Sequence, residues 1–314
     1  MKLAILEPLG VEKTRFLAMA KEALGDRVEI VAYDDRREDV PTLIERSKDA
    51  DIVVLSNFQY RESVISQCPK LKMICVAFTG YDHVDIEYCK QRGITVCNCA
   101  GYSTVAVAEL VIGMVISLLR KVRECDIAAH AAGTKAGLTG YELEGKKFGI
   151  IGTGAIGLRV AALAQAFGCE VLAYSRTRKE IPGITYMELD DLLRESDIVT
   201  LHVPANANTK QLMNREKIAL MKKSAILINC ARGPVVDSQA LADALNNGDI
   251  AAAGIDVLEG EPPFDTQHPL VTAKNVLLTP HTAFATAESM VKRAVIVFDN
   301  ISAYLDGKPQ NVIC

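Results

Sequence analysis

The sequence predicts an α/β protein of two doubly wound parallel-sheet domains, and three observations carry that expectation. Short apolar runs of strand length alternate with amphipathic stretches of helix length over the first hundred residues. A second series of the same kind begins near residue 146. Between the two lies one long apolar helical run with few breakers. Alternating strand and helix signals are the mark of βαβ units, which build a parallel sheet covered by helices on both faces. The 314 residues suffice for two domains of ordinary size, and a 49% apolar content fills a core in each.

In the first series "KLAILEP", "VEIVAYD", "DIVVLS", "KMICVAF" and "ITVCN" read as strands, and "EKTRFLAMAKEAL", "PTLIERSK" and "DIEYCKQRG" as helices between them. From Thr104 to about Ala132, "TVAVAELVIGMVISLLRKVRECDIAAHAAG" reads as a single helix able to lead from one domain to the next. The second series follows in "KKFGII", "CEVLAYS", "DIVTLHV", "SAILINC", "IAAAGIDV" and "NVLLTP". A last helix-like segment, "TAESMVKRAVIVFDNISAYLDG", is too short to be a domain and is expected to pack back onto the first one. The expected division is therefore 1–100 with 285–314, and 101–284. There is no repeat at solenoid spacing and no low-complexity tract.

Composition narrows the function. A net charge of −4, with 24% charged residues of mixed sign, offers no field for a nucleic-acid backbone or an anionic membrane. "MKLAILEPLG" carries a Glu and a Pro inside its apolar run, which suits a buried strand and not a signal peptide. No apolar run reaches the ~18 residues of a membrane span. The nine cysteines are odd in number, scattered and set in apolar segments, as reduced thiols are. A cytoplasmic protein is expected. Cys97 and Cys99 lack further ligands at zinc spacing, and His83 and His202 belong to no motif, so no metal site is expected.

The first unit of the second series carries chemistry. "GIIGTGAIG" runs from a strand straight into a helix, "AIGLRVAALAQAFG". Gly152 allows the tight turn, Gly154 lets backbone N–H groups reach a pyrophosphate, and Gly157 lets helix and strand approach. With Ala155 and Ile156 these residues place a dinucleotide's phosphates at a helix N-terminus. A lone G-x-G-x-x-G is weak evidence; the strand–turn–helix context strengthens it. At the end of the second strand an NAD site usually has an Asp or Glu for the ribose hydroxyls. Here the chain reads Ser175, Arg176, Thr177, Arg178 and Lys179, hydroxyls and guanidinium groups suited to a 2′-phosphate. NADP(H) is the expected cofactor, with NAD(H) the alternative. The same run also reads as a solvated basic loop.

Three more segments follow predicted strands, where open α/β sheets bind ligands. They are "INCARGPVVD" with Arg232, "GIDVLEGEPP" with Asp256 and Glu261, and "LLTPHTAFAT" with His281. Taken singly, each has a plain structural reading. Together with the glycine turn, and in this order, they resemble the D-isomer-specific 2-hydroxyacid dehydrogenases over essentially the whole chain. The resemblance implies a flavodoxin-like substrate domain, a Rossmann dinucleotide-binding domain, and Arg232, Glu261 and His281 as catalytic residues.

The chemistry explains those residue types. Reducing a 2-oxo acid takes hydride to carbon and a proton to oxygen, so the site needs an acid and a cation. Imidazole is the side chain that titrates near neutral pH, which suits His281 to the proton. A carboxylate at Glu261 would fix its tautomer and favour the charged ring. Arg232 offers a fork of donors to the carboxylate or carbonyl oxygen. By resemblance Asp256 lies beside the nicotinamide carboxamide. Val203 and Pro204, Cys230 and Ala231, and Thr282 and Ala283 make further backbone-type contacts. Where the family often has a Gly soon after the His, this chain reads "HTAFAT", which implies a different pocket wall.

The first domain is expected to supply the opposite wall. "AFTGYDHVD" resembles the family loop whose N–H groups take the substrate carboxylate, through Thr79 and Gly80; a structural turn is the alternative. "SNFQY" (56–60) and "AGYSTVAVAE" also resemble cleft segments, with Tyr102 closing over substrate and Thr104 near the nicotinamide, though packing is the plainer role for Phe58 and Tyr102. "AGYSTVAVAE" is similar to glycerate (hydroxypyruvate and glyoxylate) reductases and "TPHTAF" to D-lactate dehydrogenases, which leaves the 2-oxo acid open among small ones. The chain is expected to lack the regulatory domain of many 3-phosphoglycerate dehydrogenases. The competing expectations are a nicotinamide-sensing protein like the C-terminal-binding corepressors, and a formate or phosphite dehydrogenase. The long helix is apolar around its circumference, which predicts a homodimer or burial against its own domains.

Overall fold

The computed structural model describes residues 1–260 and 262–314, and they divide into two compact units, Met1–Ser103 with Ala285–Cys314 and Thr104–Phe284. The first unit contains β1 (Lys2–Ile5), α1 (Lys13–Leu24), β2 (Glu29–Ala32), α2 (Val40–Ser47), β3 (Ile52–Leu55), α3 (Glu62–Ile65), β4 (Met73–Val76), α4 (Ile86–Arg92) and β5 (Thr95–Asn98). All pairings are parallel, in the order β2-β1-β3-β4-β5. That is the flavodoxin-like order. Every residue of β3 and β4 is buried, as strands covered on both faces must be.

The second unit holds α5 (Thr104–Leu119), α6 (Val122–His130), β6 (Lys147–Ile151), α7 (Ala155–Ala166), β7 (Glu170–Tyr174), β8 (Ile184–Tyr186), α8 (Leu189–Glu195), β9 (Ile198–Leu201), α9 (Arg215–Ile218), β10 (Ile226–Asn229), α10 (Ser238–Asn247), β11 (Ala252–Ile255), α11 (Pro269–Thr272) and β12 (Val276–Leu278). Its sheet is again parallel, in the order β12-β11-β10-β9-β6-β7-β8. Counted within the unit this is the dinucleotide-binding order with a seventh strand added, and the order reverses between β6 and β9. Both expected doubly wound sheets are present.

The last helix, α12 (Ala287–Leu305), begins at Thr286 with a reciprocal cap from Ser289 and packs on α1 and β4 of the first unit. Phe298 meets Phe16 there, ring centroids 4.9 Å apart. The chain end then bonds the edge of the sheet, Ile313 N–H donating to Val96 O at 2.7 Å.

The helical run after Thr104 departs from expectation, because it breaks into α5 and α6. Lys121 sits in the left-handed region at φ 51°. The Leu119 carbonyl, which would have continued the ladder, instead accepts from Tyr141 N–H at 2.9 Å. The returning loop passes so close that a Cβ at Gly140 would lie 2.5 Å from that carbonyl. A segment about twenty residues downstream thus ends the helix. β8, α3, α9 and α11 are three or four residues long, below the length at which periodicity shows. Among the described residues no helix is long and apolar enough to cross a membrane.

Candidate active site

In a parallel sheet every strand points its carboxyl end the same way, so residues that follow strands gather at one edge. In the second unit Gly152 follows β6, Ser175 follows β7, Val203 and Pro204 follow β9, Cys230 to Arg232 follow β10, Asp256 follows β11 and His281 follows β12. The structure therefore brings these expected site residues to one edge. Thr104 opens α5.

The three glycines of the turn have different reasons to be glycine. Gly152, at φ 100°, lies against β9: a Cβ there would sit 2.5 Å from His202 O. At Gly157 it would sit 2.0 Å from Gly152 O. Packing demands both. At Gly154 nothing among the described residues lies within 4 Å, so they give no packing reason for the missing side chain. The turn keeps that space open. Ala155, Ile156 and Gly157 begin α7, whose cap makes no side-chain hydrogen bond, and their N–H groups have no intrahelical acceptor. The Thr153 hydroxyl is buried without a partner among the described residues. An open approach, free N–H groups and an orphaned hydroxyl fit the diphosphate of a dinucleotide.

Gly152 N–H donates to Tyr174 O at 2.8 Å, which sets the end of β7 beside the turn. Just beyond it Ser175 is half-buried, while Arg176 and Thr177 are exposed. Arg178 is held by Glu188 at 2.5 Å. The corner is basic but unevenly committed. On the other side of β6, His202 bonds Thr200 Oγ1 at 3.0 Å, and burial pushes its imidazole down to about 3, so the ring is neutral at physiological pH.

The loops after β10, β11 and β12 are tied together in sequence. Asp256 N–H donates to Asn229 O at 2.9 Å, and His281 N–H to Asp256 O at 2.8 Å. Asn229 also accepts from Ala231 N–H at 3.0 Å and donates from Nδ2 to Arg232 O at 2.9 Å, closing the turn that carries the arginine. Arg232 is half-buried and donates to Ala231 O at 2.9 Å. Gly233 is forced: a Cβ there would lie 1.8 Å from Leu258 O, so the loop after β10 rests on the loop after β11.

Asp256 has no exposed surface. Its Oδ1 accepts from Thr279 Oγ1 at 2.5 Å and Thr282 N–H at 2.8 Å, and its Oδ2 from Ala283 N–H at 3.0 Å. One buried carboxylate thus grips both sides of His281, whose backbone lies in the left-handed region at φ 54°. A non-glycine there costs about 1–2 kcal/mol, and the bonds around it hold the conformation. The half-buried His281 ring meets Phe284 edge-on, centroids 5.3 Å apart. One sequence expectation changes in detail. The Asp256 side chain acts on the loop after β12, and the N–H groups of Thr282 and Ala283 are already spent on it, leaving neither of those two N–H groups for a ligand. The Cys230 thiol, pushed well up by burial, is a packing group beside Met114. Glu261, expected to pair with His281, lies outside the described residues.

In the first unit Thr79 and Gly80 follow β4 and are half-buried. Asn98 holds their turn by donating to Thr79 O at 2.7 Å. The Thr79 hydroxyl is buried without a partner among the described residues. Tyr102, expected over the substrate, is instead 2% exposed and packed between Phe78 and Arg293. Sequence reasoning missed Asn229, Asn98, Gly233 and Arg293. The Asn and Gly positions flank motifs and carried a local signal; Arg293 carried none.

Residues 112–283 match the profile of the D-isomer specific 2-hydroxyacid dehydrogenase NAD binding domain. The chain is 37% identical to a hydroxypyruvate reductase of Blautia hydrogenotrophica over 303 residues, 93% of each chain. It is 37% identical to a glyoxylate reductase of Aeropyrum pernix over 317 residues, 94% of each. It also superposes on an acyclic imino acid reductase in complex with NADPH and D-Arg with a TM-score of 0.92, at 29% identity over the whole of both chains.

Proposed function

The chain belongs to the D-isomer-specific 2-hydroxyacid dehydrogenase family, and from that premise we propose that it is a reductase of glyoxylate or hydroxypyruvate. NADP(H) is the preferred cofactor in this reading, with NAD(H) the alternative. It is an NAD(P)-dependent oxidoreductase, and its reaction moves a hydride between the nicotinamide and a small 2-oxo acid. The observation that carries the residue assignment is the common edge on which Arg232 follows β10 and His281 follows β12, the two strands that flank β11, with their loops linked through Asn229 and Asp256.

When bound, the reduced nicotinamide supplies the hydride. Arg232 holds the substrate's carboxylate or carbonyl oxygen in its fork and stabilises the charge that develops there. His281 delivers the proton to that oxygen and takes it back in the reverse direction. Glu261 orients the ring and keeps its proton on the side facing substrate. Asp256 keeps the His281 loop from moving. Gly152, Gly154, Ala155, Ile156, Gly157, Ser175, Thr177, Val203, Pro204, Cys230, Ala231, Thr282, Ala283 and Thr104 surround the cofactor. Thr79 and Gly80 serve the substrate, and the buried Tyr102 packs against Phe78 beside them. With Arg178 taken by Glu188, the choice for a 2′-phosphate falls on Arg176.

We place the enzyme in the cytoplasm, since all nine cysteines are free. We take a second copy as its partner, because Val122, Ile127 and Tyr141 are 48, 58 and 68% exposed on and after α6; sedimentation as a monomer would refute this.

The deciding experiment crosses a panel of small 2-oxo acids with NADPH and NADH, for the natural chain, His281→Ala and Arg176→Ala. His281→Ala should lose about a thousandfold in kcat, and near-normal turnover would end the assignment. Arg176→Ala should shift the NADPH/NADH preference about tenfold toward NADH; an unchanged ratio removes its role.

A further inference from the structure

Three segments of the first unit were expected to face substrate, 56–60, 77–85 and the stretch around Tyr102, and one side chain from elsewhere touches them all. Arg293 lies on α12, 216 to 284 residues away along the chain from the loop residues it bonds. It is 4% exposed. Its Nη2 donates to Leu9 O at 2.6 Å, in the loop after β1. Its Nη1 reaches Ser56 Oγ, after β3, and Ala77 O, after β4, both at 3.4 Å. The guanidinium stands 5.7 Å from the centroid of the Tyr102 ring.

A buried cation is expensive, by several kcal/mol before compensation, and an apolar side chain would fill the same core space at lower cost. The compensation here comes from the carboxyl edge of the sheet. Glu7, 3% exposed, accepts from Ser56 N–H at 2.7 Å and from Arg36 at 2.8 Å, and its charge faces that of Arg293. A fork of fixed donors in this layer sets three loops against one another, which an apolar side chain cannot do. Its charge also lies directly behind the segments that would meet an anion.

We infer that Arg293 is the positioning residue of the first unit's ligand-facing edge: it fixes the loops after β1, β3 and β4 and the Tyr102 ring, and its charge favours a carboxylate there. The inference rests on the substrate reading above for the carboxylate, and on geometry alone for the loops.

The test uses the full chain with Arg293→Lys, which keeps the charge and loses the fork, and Arg293→Met, which loses both. Two readouts are needed. Amide hydrogen exchange should rise in 6–10, 56–60, 77–85 and 99–103, while 104–284 keeps its protection. In kinetics with NADPH, KM for glyoxylate should rise about tenfold in Arg293→Lys, with kcat and the KM for NADPH little changed. In Arg293→Met it should rise further, and more for glyoxylate than for its neutral methyl ester. Unchanged exchange in those segments in both variants would overturn the positioning role. Equal loss for acid and ester in Arg293→Met would overturn the charge role. A natural chain that reduces no 2-oxo acid would sink the substrate reading, and the exchange readout would then decide Arg293 by itself.

Discussion

At the carboxyl edge of the second sheet the loops are gathered around an anion, Asp256, which takes its partners from residues 279–283. At the carboxyl edge of the first sheet they are gathered around a cation, Arg293, which takes its partners from residues 9, 56 and 77. A carboxylate can only accept, so it suits backbone N–H groups and a hydroxyl; a guanidinium can only donate, so it suits inward-turned carbonyls. The sign of the organising charge follows from which end of the peptide units faces inward. The two also differ in reach: Asp256 binds a neighbouring strand's loop, whereas Arg293 is delivered by a helix that returns from the far end of the chain.

Removing the anion should have the largest effect. Asp256→Ala leaves the Thr279 hydroxyl and two N–H groups without their acceptor, which should cost about 3–5 kcal/mol in equilibrium unfolding. Activity that depends on His281 should fall with it. A loss under about 1 kcal/mol would mean that the loop does not need its carboxylate. Next in size is Asn300→Ala. Asn300, one face along α12 from Arg293, is fully buried, donates to Asn98 O and accepts from Asn311 Nδ2, both at 2.8 Å. Losing it should cost about 1–3 kcal/mol, and a silent substitution would show that this edge does not depend on the Asn300 hydrogen bonds.

The smallest effect concerns pH. Burial raises the Glu7 carboxyl above the ordinary 4.5, against the pull of Arg36 and Arg293. The folded chain therefore holds that proton more tightly than the unfolded chain. Its contribution to stability is greatest below pH 4.5 and declines as pH rises through the raised value. Glu7→Gln should flatten this part of the stability-against-pH curve. An unaltered slope would show that the paired arginines compensate the buried charge in full.

What the sequence revealed divides along the same line. The glycine turn, Arg232, Asp256 and His281 each follow a strand within a few residues, so spacing marked their positions and the family resemblance supplied their expected roles. Arg293 in "MVKRAV" looks like one more charge on an amphipathic helix, and Glu7 in "LAILEP" looks like the polar end of a strand. Neither could be recognised as buried before the topology put α12 against β4. The break at Lys121 was hidden likewise, because apolar periodicity runs through it and the group that ends α5 comes from Gly140 and Tyr141. The role of Asp256 was legible only in part: its position showed, whereas its grip on the histidine loop depends on three donors that the fold brings together.

The first unit is interrupted, and synthesis is not symmetrical with respect to that interruption. Residues 104–284 leave the ribosome as one uninterrupted block, whereas 1–103 await 285–314. At about 5–20 residues per second the wait is on the order of 10 to 40 s. Throughout it, the nascent amino-terminal sheet has neither its covering helix nor the guanidinium that joins its loops, while the nucleotide-type half is being completed. Residues 1–103 precede the intervening unit in synthesis, and their sheet is completed only after it, when 285–314 arrive.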